Sequence, residues 1–214
     1  MNTEIIEALK KKFSGDIESK EETLKKYSRD ASLFEIKPKL VIFPKNSEDV
    51  KTAVKWVNDN KEKDPSLSIT ARSAGTCMSG GSLNESVIID FTRYMNRIIE
   101  VKDDYAIVEP GCFYRDFDKA TRKIGKIMPT YTASREICAV GGMVANNAGG
   151  EKSIKYGKVE NHIKKLKVIF SDGNEYEVKP MTLKELEEKI AQNNFEGELY
   201  KKIFDLIKDN YDEI

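Results

Sequence analysis

The sequence predicts an α+β fold, and three observations carry that prediction. Short apolar runs such as LVIF (40–43) and VIIDF (87–91) have the length and composition of strands. Amphipathic stretches with capping residues have the period of helices and interleave with the strands without any internal repeat. Ten of the thirteen glycines fall between Gly75 and Gly157, whereas only Gly15 precedes them. The middle of the chain therefore needs backbone freedom or close backbone approach, which glycine alone supplies.

The elements follow in order. Residues 4–13 place Ile5, Ile6, Leu9 and Phe13 at helical spacing, and the polar stretch 18–28 is expected to begin with a second helix. Lys37-Pro38 interrupts the chain before the strand LVIF. Asn46 or Ser47 caps a helix whose first turn carries Glu48 and Asp49, and which ends before Asp64-Pro65. LSITAR (67–72) is a strand entering the first glycine loop, and VIIDF is the strand leaving it. IIEV (98–101) and YAIVEP (105–110) are spaced as a hairpin around Asp103-Asp104. Residues 113–125 form a helix closed by Gly125. Residues 129–140 are irregular loop, and the small-residue run 140–150 is compatible with a short helix. Residues 163–173 form a strand turning at Asp172-Gly173 into a partner at 174–180, followed by charged amphipathic helices at 182–193 and 197–211.

Composition excludes several functions. Lys+Arg and Asp+Glu both number 36 in 214 residues, so formal charge is zero, with a single His. A protein that coats nucleic acid or an anionic membrane needs a positive surplus. No run of roughly 18 apolar residues exists to span a bilayer, and the charged N-terminus lacks the apolar core of a secretory signal. Cys77, Cys112 and Cys138 are odd in number and widely spaced, which argues against a disulfide framework or a metal site within this chain. A cytoplasmic setting is expected.

The first glycine loop runs Arg72, Ser73, Ala74, Gly75, Thr76, Cys77, Met78, Ser79, Gly80, Gly81, Ser82. Glycines here let backbone N–H groups converge into a nest for phosphate oxygens, with hydroxyls as further donors; a tight strand connection without ligand is the competing reading. Arg72, ending its strand just before the loop, is the best placed of Arg72, Arg115 and Arg135 to meet an anion. Gly75 and Gly80 have the spacing of a nucleoside-triphosphate loop, but position 81 is Gly where that motif needs Lys, and no G-x-G-x-x-G opens a helix. The second segment, Val140, Gly141, Gly142, Met143, Val144, Ala145, Asn146, Asn147, Ala148, Gly149, Gly150, suits either a helix packed closely on a sheet or the wall of a flat ring site.

RSAGTCMSGG, VEPG, PTYTASRE, VGGMVANNAGG, KYG and FSDG occur in one order here. In that order they resemble the PCMH-type FAD-binding domain of FAD-linked oxidoreductases of the vanillyl-alcohol-oxidase type, closest to the group of glycolate oxidase and D-lactate dehydrogenase. The resemblance runs from about Pro38 to about Pro180. It implies a two-subdomain FAD-binding fold over 38–180, an N-terminal helical extension over 1–37, and a helical segment over 181–214 that leads to a missing C-terminal part. It implies that 73–81 hold the FAD pyrophosphate. Pro129, Thr132, Ala133 and Ser134, with Gly141, Gly142, Ala145, Asn146, Asn147 and Gly149, would line the flavin and ribityl side. Tyr156-Gly157 follow where the family has a similar pair, and the strand carrying Val168 would lie near the adenine.

Two departures shape the functional expectation. Members that attach FAD covalently do so through a His in the first loop; the matching position is Thr76, so non-covalent FAD is expected. Family chains are roughly twice this length, and their later part carries the metal site and acid/base His of the 2-hydroxy-acid enzymes. We therefore expect a fragment or one piece of a split enzyme, with catalytic residues elsewhere and no metal here. It would serve an FAD-dependent oxidation of a small 2-hydroxy acid such as D-lactate or glycolate, with an iron–sulfur or electron-transfer protein as a further partner. The alternatives are a flavin-binding module acting only through a partner chain, and part of a MurB-like reductase. Cys112 is read as a small buried hydrophobe, Trp56 as packing, Arg115 as solvated, Arg135-Glu136 as a local ion pair, and His162 as a loop residue without a role.

Overall fold

The computed structural model describes residues 3–214. Its first half is a four-stranded sheet with helices on both faces. The chain enters through α1 (Thr3–Lys10), β1 (Asp16–Glu18) and α2 (Glu21–Tyr27). It continues through β2 (Leu40–Phe43), α3 (Ser47–Asn60), β3 (Ile69–Arg72) and β4 (Val87–Asp90). The strand order is β1-β2-β4-β3. β2, β4 and β3 are parallel, and β1 is antiparallel to β2.

The continuous apolar runs have a physical reason. Every residue of β2 and β4 is buried, as central parallel strands covered on both faces must be. Alternate residues serve alternate faces. Leu40, Ile42, Val87 and Ile89 pack with Ile5, Leu9, Phe13, Ala53, Trp56 and Leu67, while Val41, Phe43 and Ile88 pack with Leu24 and Tyr27. Trp56 is buried and donates its indole N–H to the Ile5 carbonyl at 2.7 Å. The Asn46 side chain caps α3 by accepting from Asp49 N at 3.0 Å. The buried Asp49 carboxylate is satisfied by Ser14 N at 2.8 Å, the Ser14 hydroxyl and Lys45 N at 2.8 Å.

The second half gathers around a separate cluster. β5 (Ile98–Val101) and β6 (Ala106–Val108) form the expected hairpin. α4 (Tyr114–Arg122) is followed by Gly125 at φ +71°, the left-handed terminator anticipated there. α5 (Val140–Ala145) and α6 (Ser153–Tyr156) come next, with a 3-10 turn at Val159–His162. Cys112, Tyr114, Phe117, Tyr131, Cys138, Val140, Met143, Ala148 and Val159 make this core. β7 (Leu166–Ile169) and β8 (Glu175–Val178) pair antiparallel across the turn at Gly173, φ +74°. α7 (Leu183–Ile190) opens with a capping box of Thr182 and Glu185, and α8 (Phe195–Asp209) with an Asn194 cap.

Two local differences from expectation stand out. The stretch before Pro38, expected as a helical extension, also contributes the edge strand β1 to the sheet. Its Asp16 and Glu18 both pair with Arg93, whose guanidinium lies 3.3 Å from the centroid of the Phe43 ring. The second difference is α6, a single helical turn that no periodic pattern announces.

Candidate FAD site

β3 ends at Arg72, and the glycine loop starts at the next residue. Gly75 and Gly80 have φ +68° and +79°, backbone conformations that side-chain-bearing residues rarely adopt. The Arg72 side chain curls back beneath Gly75, where a Cβ would lie 2.8 Å from its Cζ. It stacks 5.1 Å from the Tyr27 ring centroid, and its Nη2 donates to the Arg29 carbonyl at 2.8 Å. Tyr27 in turn donates its hydroxyl to Asp90 at 3.1 Å, and Asp90 stands opposite Arg72 in the β3–β4 register. Burial lowers the guanidinium pKa, opposed by Tyr27, Asp90 and Asp30. Arginine nonetheless keeps its charge.

One atom of this arrangement is unsatisfied. Arg72 Nη1 is buried without a hydrogen-bond partner. A buried donor on a charged group left unpaired costs about 1–3 kcal/mol or more, and an anion is the kind of partner whose chemistry would satisfy it. The donor set therefore fits the pyrophosphate of the FAD that the sequence led us to expect.

The second glycine segment forms α5 and its continuation. Gly141 N donates to the Pro110 carbonyl at 2.8 Å, and a Cβ on Gly141 would sit 2.6 Å from that oxygen. Next to it, a Cβ on Gly142 would lie 3.0 Å from Ser73 Oγ. The two readings left open for this segment thus divide between adjacent residues: Gly141 is small for packing, and Gly142 faces the first loop. The glycine segments, nearly seventy residues apart in sequence, come together where Gly142 approaches Ser73.

The other anticipated residues divide. Ala145 and Asn146 are exposed at the end of α5. Asn147 takes φ +40°, and its side-chain oxygen accepts from Glu160 N at 3.1 Å, so it closes the chain locally. Gly149 approaches Ser153 Oγ, which also accepts from Gly150 N at 2.7 Å, and Gly150 lies on the Tyr131 backbone. This seats 129–136 beside the second segment. There Pro129 and Ser134 are half-buried, Ala133 is exposed, and the Thr132 hydroxyl lies 3.0 Å from Ser134 Oγ and 3.4 Å from Cys138 Sγ. Tyr156 is exposed, and Gly157, φ +75°, packs on Asn161. Val168 sits in β7, half-buried, and the β7–β8 turn meets α3 where Asn58 donates to the Ser171 carbonyl. In the loop itself, Ala74 and Thr76 are half-buried, whereas Met78 is exposed.

The residues set aside lie on the surface. His162 is exposed beside the Tyr156 carbonyl at 3.1 Å, Arg115 is exposed, and Arg135 pairs with Glu136 at 3.8 Å. Tyr27, Arg29 and Asp90 escaped sequence reasoning, because nothing in helix or strand periodicity links them to Arg72. A groove of ≈ 710 Å³ between α1, β1 and α2 shares Tyr27 with this region, and Asp16 and Glu18 in its lining pair with Arg93. Among the described residues no group of His, Cys, Asp or Glu could hold a metal ion, and no helix is long and apolar enough to cross a membrane.

The three thiols give a direct probe of the loop. Cys112 and Cys138 are buried, and burial pushes Cys112 up to about 11. Cys77 is half-exposed with its Sγ 3.1 Å from Ser79 Oγ, and hydrogen bonding with Ser79 holds its pKa below the usual thiol value. A lower pKa means more thiolate at a given pH. Mild iodoacetamide should therefore label Cys77 first, and added FAD should slow that labelling. Peptide mass mapping reads both, and Cys112 reacting first would contradict this placement of the loop.

Residues 38–179 match the family described as FAD binding domain. The chain is 27% identical over 212 residues to D-2-hydroxyglutarate dehydrogenase of Escherichia coli (strain K12), covering 94% of this chain and 20% of that protein. It is 29% identical over 147 residues to D-lactate dehydrogenase of Archaeoglobus fulgidus, covering 68% and 32%. Among solved structures, alkyldihydroxyacetonephosphate synthase superposes with TM-score 0.72 at 20% identity, covering 87% of this chain and 36% of that one. The chain thus spans between a fifth and about a third of the length of these two curated relatives.

Proposed function

The chain belongs to the FAD binding domain family, and from that premise we propose that it forms the FAD-holding part of an oxidoreductase acting on a small 2-hydroxy acid. FAD is its cofactor. In this reading residues 38–180 are the FAD-binding unit, flanked by 1–37 and 181–214. The observation that carries the proposal is the buried Arg72 guanidinium packed beneath Gly75, with its Nη1 left without a partner.

When bound, FAD supplies the two-electron hydride acceptor. The chain's own residues bind and orient it. Arg72 and the backbone N–H groups and hydroxyls of 73–81 hold the pyrophosphate, with Ser73, Thr76 and Ser79 as hydroxyl donors. Gly142 keeps the opposite wall close without filling the cleft, and the 129–136 segment, seated on Gly150, borders the flavin side. Attachment is non-covalent, since position 76 is Thr and Cys112 is buried. After acid precipitation the yellow colour should stay in the supernatant. Three unpaired cysteines fit a reducing compartment such as the cytoplasm.

The substrate class rests on the relatives named as D-2-hydroxyglutarate and D-lactate dehydrogenases. The groups that move the substrate's proton, and any electron-transfer partner protein, lie outside the residues assigned here. Anaerobic addition of D-lactate, glycolate or D-2-hydroxyglutarate to the full-length protein should bleach the visible flavin bands. Bleaching by NADPH with none by any 2-hydroxy acid would overturn the proposal in favour of a reductase.

A further inference from the structure

The turn formed by residues 29–36 lies outside the family match, which begins at residue 38. It is closed on itself by the antiparallel bridge Arg29↔Glu35, by an ion pair between those side chains, and by Ile36 N donating to the Ser28 carbonyl at 2.8 Å. Its tip is braced by Ser32 N donating to Asp30 at 2.8 Å.

This closed turn grips the glycine loop at four points. The Arg29 carbonyl accepts from Arg72 Nη2 at 2.8 Å. Ala31 N donates to the Gly75 carbonyl at 3.1 Å. Asp30 Oδ2 accepts from the Ser82 hydroxyl at 2.9 Å. The Phe34 ring lies 2.9 Å from where a Cβ on Gly80 would stand. Both left-handed glycines, the arginine beneath them and the far end of the loop are thus tied to one short segment. Ser82 is buried, so its hydroxyl needs this acceptor.

We infer that Asp30 is a positioning residue for the pyrophosphate loop. It holds the loop's exit at Ser82 while Ala31 holds the entry at Gly75, and so fixes the width of the cradle before FAD arrives. A loop held in its binding shape loses less entropy on binding. The inference rests on the proposal that this loop takes the FAD pyrophosphate.

The test compares wild type, Asp30→Ala, Ser82→Ala, the double variant and Ser82→Thr in the full-length protein. Affinity for FAD and for ADP is read by calorimetry, alongside the melting temperature without ligand. Each alanine variant is expected to bind both ligands about tenfold more weakly. The double variant should be no weaker than Asp30→Ala alone, because the two residues share one link. Ser82→Thr, which restores the hydroxyl, should bind as wild type does. Alanine variants that melt lower yet bind FAD and ADP with unchanged affinity would overturn the inference by making the link structural only. Wild type failing to bind FAD or ADP would instead sink the site itself, so the two failures are distinct.

Discussion

Arg72→Met should weaken FAD binding by between tenfold and a hundredfold while leaving the sheet folded. The lost group is a charge-assisted donor to phosphate, worth about 1.5–3 kcal/mol. Methionine keeps much of the volume against Tyr27, so packing is largely preserved. Two stability terms oppose each other in the ligand-free protein. The bond from Nη2 to the Arg29 carbonyl disappears, costing about 1 kcal/mol. The buried, partnerless Nη1 disappears too, relieving a penalty of similar size. The ligand-free melting temperature should therefore move by only a few degrees. FAD at a hundredfold excess over its Kd stabilises by about 2.7 kcal/mol, a rise of roughly 5–10 °C for a protein of this size. At the same FAD concentration Arg72→Met should keep only between about half and about one sixth of that rise. Arg72→Lys should fall between, since a lysine restores charge but not the planar fork. An unchanged FAD-induced shift in Arg72→Met would remove Arg72 from the site.

Gly141→Ala should damage the fold, whereas Gly142→Ala should damage the site. A Cβ on Gly141 would lie 2.6 Å from the Pro110 carbonyl oxygen and 2.8 Å from Pro110 Cα. That backbone cannot retreat easily, because Gly111 N is bound to the Met95 carbonyl at 2.8 Å and Cys112 N to Glu109 at 3.1 Å. Alanine gains about 1 kcal/mol of helix propensity over glycine within α5. Overpacking costs about 1–3 kcal/mol, and the strained bond from Gly141 N adds about 1. The clash wins, with a net loss of about 1–3 kcal/mol and a melting temperature lower by roughly 2–12 °C. At Gly142 the neighbour is Ser73 Oγ at 3.0 Å, the end of a side chain that can rotate away. Gly142→Ala should melt close to wild type yet bind FAD more weakly, because the new methyl displaces Ser73 of the first loop. Gly81→Ala is the stability control: its Cβ would meet only Cys77 Sγ at an ordinary 3.4 Å. Equal melting temperatures for the Gly141 and Gly142 variants would contradict the close approach of α5 to Pro110.

The parts of this architecture that local chemistry determines were legible from the sequence. β2 and β4 announce themselves because parallel strands buried on both faces need unbroken apolar runs. α3 announces itself through its Asn46 cap, and α7 through its charged amphipathic pattern. The two glycine segments stand out by composition, and Arg72 by ending a strand. What was not legible depends on residues far apart. β1 has only Ile17 as an apolar residue, and its carboxylates are paired by Arg93, more than seventy positions away. The turn at 29–36 reaches Ser82 across 52 positions. Asn147 has the composition of a ligand-facing amide, yet its side chain is spent on Glu160 N. Local pattern names the residue types of a site, and long-range hydrogen bonding decides which of them face the cleft.

The central claim is that residues 72–82 and α5 with its continuation are two walls of one FAD site. An amide chemical-shift titration of the isotopically labelled protein with FAD tests it most directly, because it reports each segment separately even when binding is weak. Residues 73–81 and 141–146 should shift together along one binding curve, and ADP should reproduce the shifts of the first segment alone. Shifts confined to one segment at saturating FAD, or two segments following different curves, would contradict a single shared site.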